Sequence, residues 1–342
     1  RSSALIALTA AVLLCGAWLP LAVAVPEISF ASSDDSYAPG TVRPAGLSRA
    51  AASSDVVAAT VTASKSSDSK SVHSYSPSSG GSNSSASKCG TGEPTTGYIS
   101  DAYADWIWEN RMHKEFRNFS TSIFDQLLTA NGTLSYCVRW DSPRNLSKTT
   151  ASKFKAMLER QYAQWNKWLV GYGCWPIQTI SIDVVGVAVN STAQLDWTDD
   201  SLGSIYVGEL DTDGVITCPD ACYKHRDGFK SADMSGCKGT PFDIMLWPTL
   251  DQGGGVGGDW GQRVDEKAML ATLDANTSVI VAHEIGHGFG LPDFYQPSEK
   301  PGADMPNLIM EAGKTKSVTE GDGVLMRRGW DYVRKHRYPE FV

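Results

Sequence analysis

The stretch VAHEIGHGFGLPDFY, residues 281–295, constrains this chain more than any other. Apolar residues lead into it, and Gly288 and Gly290 follow the second histidine, so the pattern predicts a buried helix from about 276 to 288 that ends abruptly. His283 and His287 then stand one above the other on a single helix face and can present both imidazoles to one metal ion. Glu284 points about a hundred degrees around the axis, outside that direct coordination but within reach of a water on the ion. Gly290 suits the left-handed residue that closes a helix, and the resulting bend can return Asp293 as a third ligand, its approach restricted by Pro292. Three protein ligands and one open position are the pattern of catalytic zinc, whereas structural sites are closed by four. The plain alternative is a buried helix with two incidental histidines. The glycine and the further ligand at matching spacing weigh against it.

The rest of the chain supplies a setting. Residues 4–24 are apolar and end in Ala22-Val23-Ala24, which fits a cleaved signal peptide spanning 1–24 better than a membrane anchor, because no basic stop-transfer cluster follows. Cys15 lies inside that segment. Cys89, Cys137, Cys174, Cys218, Cys222 and Cys237 remain, an even set that could form three disulfides in 15 possible pairings. Sequons at Asn83, Asn118, Asn131, Asn145, Asn190 and Asn276 also suit a secreted, extracellular glycoprotein. With a formal net charge of −8 the chain lacks the cationic surplus that nucleic-acid binding needs, and no stable membrane insertion is expected once a signal is removed.

Residues 25–88 are rich in Ser and poor in large apolar side chains, so they predict a disordered linker or pro-segment. The folded part, 89–342, begins near Cys89. Strands are expected at 132–140, 180–189, 203–210 and 241–248, with an amphipathic helix over 149–171 and a last helix over 322–335. Strands and helices without strict alternation indicate an α+β domain.

The run His283-Glu284-x-x-His287-x-x-Gly290-x-x-Asp293 resembles the zinc signature of the metzincin metallopeptidases. Its aspartate form is similar to that of snapalysin-like and fungal neutral zinc metallopeptidases. NLIMEAG, residues 307–313, resembles the Met-turn of that clan, with Met310 beneath the metal. The resemblance spans 278–313 well, the segment from about 132 only coarsely, and nothing before Cys89. It implies a twisted, mixed or mostly antiparallel sheet with an active-site helix, and a Zn²⁺ ion held by His283, His287 and Asp293. It further implies Glu284 as general base and protein or peptide substrates, in short a zinc metalloendopeptidase. Aspartate in place of a third histidine lowers the formal charge of the site from about +2 to +1 and weakens the pull on a bound water. Glu311 is a rival third ligand, but choosing it leaves Gly290 and Met310 unexplained. A secreted binding or adhesin protein that keeps the fold without catalysis is the other functional class, and it would have no need of Glu284.

Weaker signals remain. DQGGGVGGDWG, residues 251–261, lacks the Gly-Lys-Ser/Thr of a phosphate loop and predicts a mobile loop near the cleft. DTDG, residues 211–214, is similar to part of a calcium loop but lacks the later acidic ligand, so a turn is expected. Cys89 sits in KCGTGEP, faintly similar to a pro-segment cysteine switch. Parity favours a disulfide, since ligation would strand an unpaired thiol. His113, His225 and His336 have no ligand-like spacing, and the scattered Trp residues suit core packing.

Overall fold

A computed structural model describes residues 89–118, 122–226 and 232–342. The apolar leader, the Ser-rich segment and Asn83 lie outside the described residues. Two short N-terminal helices, α1 (Asp101–Ile107) and α2 (His113–Asn118), are joined by a π-helical turn at Trp108–Met112, and α3 (Ile123–Thr129) follows. Then come β1 (Thr133–Arg139), α4 (Lys148–Ala151), α5 (Phe154–Asn166), β2 (Ser181–Val189) and β3 (Ser204–Val207). The second half holds β4 (Ile244–Thr249), β5 (Gly255–Gly258), β6 (Gly261–Asp265), α6 (Glu266–Ala271), α7 (Val279–Gly288) and α8 (Glu320–Arg337). Among the described residues no helix is long and apolar enough to cross a membrane.

The six strands form one mixed sheet in the order β3-β2-β1-β4-β6-β5. Of the expected mixed or mostly antiparallel sheet, the mixed form is found and the antiparallel majority is corrected: every neighbouring pair is parallel except β5–β6. Connection length explains this. Between β1 and β2 the chain crosses over through α5, as parallel neighbours require, and only the turn at Asp259–Trp260 is short enough to close a hairpin.

Alternation along the strands divides the core into two layers. Leu134, Tyr136 and Val138 of β1 and Ile244 and Leu246 of β4 join the main cluster under the helices, where Phe154, Met157, Leu158, Tyr162 and Trp165 of α5 pack. The expected helix over 149–171 is divided, with a turn between α4 and α5 and an end at Asn166, after which the chain turns to Gly171 in the left-handed region. On the opposite face Cys137, Met245, Trp247 and Trp260 meet Ile216, Tyr223 and Phe242 from the long segment between β3 and β4. That segment has few elements of its own, and the disulfides Cys137–Cys218 and Cys222–Cys237 hold it in place. The third pair is Cys89–Cys174, so Cys89 is a disulfide partner. Three such pairs are compatible with an extracellular protein. Asn131, Asn145, Asn190 and Asn276 are all exposed, and Asp211–Gly214 is a turn whose Asp211 Oδ1 accepts the N–H groups of Asp213 and Val215.

Candidate metal centre

The helix α7 is buried along nearly its whole length, and Ser278 begins it. Its depth is set from α5: Trp165 Nε1 donates to Ala282 O at 2.9 Å, and Gln161 Oε1 accepts the Ser278 N–H at 3.0 Å. At the other end Gly290 has φ +88°, and Leu291 N–H donates to Gly286 O at 3.1 Å. This is the left-handed closure expected from the glycine. A Cβ at Gly290 would come within 2.5 Å of the Phe116 ring, so the position is also sterically restricted.

Three side chains converge after that bend. Asp293 Oδ1 lies 3.0 Å from His283 Nε2 and 3.5 Å from His287 Nε2. Glu284 lies beside them, with Oε1 4.0 Å from His283 Nε2 and Oε2 3.7 Å from His287 Nε2. Ligand atoms of His283, Glu284 and His287 all fall within 4.8 Å of one another. Glu311, the rival third ligand, instead accepts from Lys300 Nζ at 2.6 Å.

The hydrogen bonds behind the imidazoles decide their tautomers. His283 Nδ1 faces Ile309 O at 2.7 Å, and His287 Nδ1 faces Leu291 O at 2.9 Å. A carbonyl oxygen only accepts, so each Nδ1 carries the proton, and in the neutral ring each Nε2 offers a bare lone pair to the centre. Asp293 Oδ1 and Glu284 Oε2 are buried, and apart from the two Nε2 atoms beside them they have no polar partner. Two imidazole nitrogens and two buried carboxylate oxygens crowded together, with no other polar partner for those oxygens, are a poor arrangement for an ordinary core and a fitting one for a divalent cation.

The electrostatics agree. Burial alone would lower the His283 imidazolium, but Glu284 and Asp293 outweigh it and its pKa is pushed up to about 9. His287 is raised as well: burial opposes this, and Asp293 leads the groups that overcome it. Burial raises Glu284. Asp293, which burial would raise, is held well below the usual carboxylate range by His287 and His283. The ion-free cluster therefore retains protons on its imidazoles, which a cation would replace.

Met310 packs against the helix: a Cβ at Gly286 would lie 2.4 Å from its Sδ. The turn that carries it is held from α8, where the buried Asp322 Oδ2 accepts Ile309 N–H at 3.0 Å and Thr319 N–H at 2.8 Å. Asp322 thus secures the residue whose carbonyl orients His283.

Two features of the site were not foreseen. The glycine-rich stretch is not a free loop: its core is β5, the outer strand of the sheet, lying directly on α7. A Cβ at Gly257 would be 2.2 Å from Glu284 O, and one at Gly255 would be 2.1 Å from Glu284 Oε1. The only signal in the sequence was the density of glycine, which marks close backbone approach as readily as mobility. Tyr295 is the other. Its hydroxyl is 3.4 Å from His283 Nε2, its ring lies parallel to the imidazole, and the side chain is 38% exposed. Its spacing of two residues from Asp293 was the available clue.

His225, expected to be a surface or satisfied polar residue, is buried against Asp243 with Nε2–Oδ1 at 3.1 Å. Compared with known protein families, curated proteins and solved structures, the chain matches none.

Proposed function

We propose that the protein is a zinc-dependent metalloendopeptidase of metzincin type that acts outside the cell. One observation carries this: His283 Nε2, His287 Nε2 and Asp293 Oδ1 face a common point while both Nδ1 atoms are committed to backbone carbonyls. His283, His287 and Asp293 would hold the ion. Zinc bound there supplies a Lewis acid that acidifies a water and polarises a scissile carbonyl.

The remaining work belongs to the chain itself. Glu284, raised by burial, is suited to take a proton at Oε2 and return it to the leaving amine. Tyr295, exposed on the open side of the site, can donate its hydroxyl hydrogen to the oxygen on which charge develops. β5 packs on Glu284 through one face, and as the last strand of the sheet it has an edge whose backbone groups an extended peptide can pair with, which favours a protein or peptide substrate over a small molecule.

The test is metal analysis of the purified protein together with casein cleavage. Bound zinc near one equivalent and cleavage abolished by a chelator are expected. Glu284→Gln should keep the metal and lower turnover by roughly a thousandfold or more. Normal cleavage by that variant removes the assigned base, and a protein that degrades casein without metal removes the mechanism.

A further inference from the structure

The loop Asp293–Glu299 carries the third candidate ligand and Tyr295, yet it has only one short 3₁₀ turn, at Pro297–Glu299, to hold its shape. Its two ends are joined by a side chain from far away in sequence. Arg111 Nη2 donates to Asp293 O at 3.1 Å, and Arg111 Nη1 donates to Glu299 O at 2.9 Å. The same guanidinium lies 3.5 Å from Glu299 Oε1 and 5.7 Å over the ring centre of the buried Phe294. Glu299 in turn caps the turn, its Oε2 accepting Gln296 N–H at 2.8 Å.

From this clamp we infer that Arg111 is a positioning residue for metal binding: it closes the 293–299 loop so that the Asp293 carboxylate and the Tyr295 hydroxyl face the two imidazoles before an ion arrives. The inference rests on the proposed metal site. Two features make the clamp specific. Both carbonyl contacts need the two-pronged geometry of a guanidinium, which a lysine ammonium does not reproduce. Arg111 also sits in the π-helical turn Trp108–Met112, where an extra residue per turn rotates the side chains that follow, and such turns recur at functional sites. A helix used only for packing has no need to aim an arginine at two carbonyls of one loop.

The experiment compares zinc affinity, measured by competition with a chromophoric chelator, with amide exchange of residues 293–299 in zinc-free protein. Arg111→Ala is expected to bind zinc about 10- to 100-fold more weakly, the range for residues that orient ligands, and to exchange faster across the loop. Arg111→Lys should recover part of the loss. Arg328→Ala serves as the control, because it breaks the 2.7 Å ion pair from α8 to Asp105 of α1 without touching the loop. It should leave both readouts unchanged. Zinc affinity within twofold of the parent in Arg111→Ala overturns the inference. Should that variant fail to fold, an unchanged affinity in Arg111→Lys does the same. A parent protein that takes up no zinc defeats the proposed function instead, and loop exchange in Arg111→Ala then still judges the clamp.

Discussion

At the scale of single residues, the candidate centre sets protons against the cation proposed for it. In the ion-free protein His283 has its pKa pushed up to about 9, with burial opposed and outweighed by Glu284 and Asp293. An unfolded histidine titrates near 6.5. A group whose folded value is the higher one contributes stability that is complete below about pH 6.5 and is lost as pH rises through about 9. His287 is shifted in the same direction and adds to this trend. The ion-free protein should therefore lose on the order of 3 kcal/mol between pH 6.5 and 9, measured by urea unfolding. Zinc at the proposed site would reverse the sign, because it binds only deprotonated ligands, and the rise in Tm on adding zinc should be larger at pH 8.5 than at pH 6. A zinc-free unfolding free energy that stays flat over that interval contradicts the coupling of these four side chains.

At the scale of elements, the meeting of β5 with α7 separates two functions that a single strand performs. A Cβ at Gly255 would strike the Glu284 carboxylate, the movable end of a side chain, whereas one at Gly257 would strike the Glu284 backbone. Gly255→Ala should therefore lower turnover at least tenfold by displacing the base, with Tm almost unchanged. Gly257→Ala must push strand and helix apart and should cost about 1–3 kcal/mol in thermal or urea unfolding. Equal losses of stability in both variants would mean that the strand does not approach the helix as described. The same contact explains what sequence reasoning reached and what it missed. The strands at Thr133–Arg139 and Ser181–Val189, and α7 itself, were legible because their apolar periodicity reflects burial that each carries alone. A run of glycines has no side-chain pattern, so β5 was read as mobile. Strand direction escaped for a related reason: periodicity is the same in parallel and antiparallel strands, and only the crossover through α5 separates them. His283, Glu284, His287 and Asp293 are close in sequence and could be grouped by spacing, while Arg111 is 182 residues from the carbonyl it holds.

At the scale of the whole molecule, the first described residues act as a strap from the turn after α5 to the start of α8. Cys89 is bonded to Cys174, 85 residues away, and Gly92 N–H donates to Gly171 O at 3.0 Å. Arg327 Nη2 donates to Glu93 O at 2.7 Å, and Glu320 Oε1 accepts the N–H groups of Thr96, Gly97 and Tyr98 at 2.8, 3.0 and 3.0 Å. The strap then reaches the turn before Met310, where the Tyr98 hydroxyl donates to Asn307 O at 2.7 Å. Replacing both cysteines of the first pair with serine frees the strap's outer end but leaves its bonds to α8 in place. The expected cost is about 2–4 kcal/mol, because a loop of this length loses a large closure entropy only when it is cross-linked. For a domain of this size that is a fall in Tm of roughly 5–15 °C. The metal centre should be indifferent: Asp322, in the first turn of α8, holds Ile309 and so His283 through its own carboxylate, and the strap's bonds to α8 stay in place when the disulfide is removed. Zinc affinity within about twofold of the parent, alongside the lowered Tm, is the outcome consistent with separate tethers. A matching loss of zinc affinity would instead make the strap part of the metal site, with the disulfide acting on His283 through Asn307 and the turn that follows it.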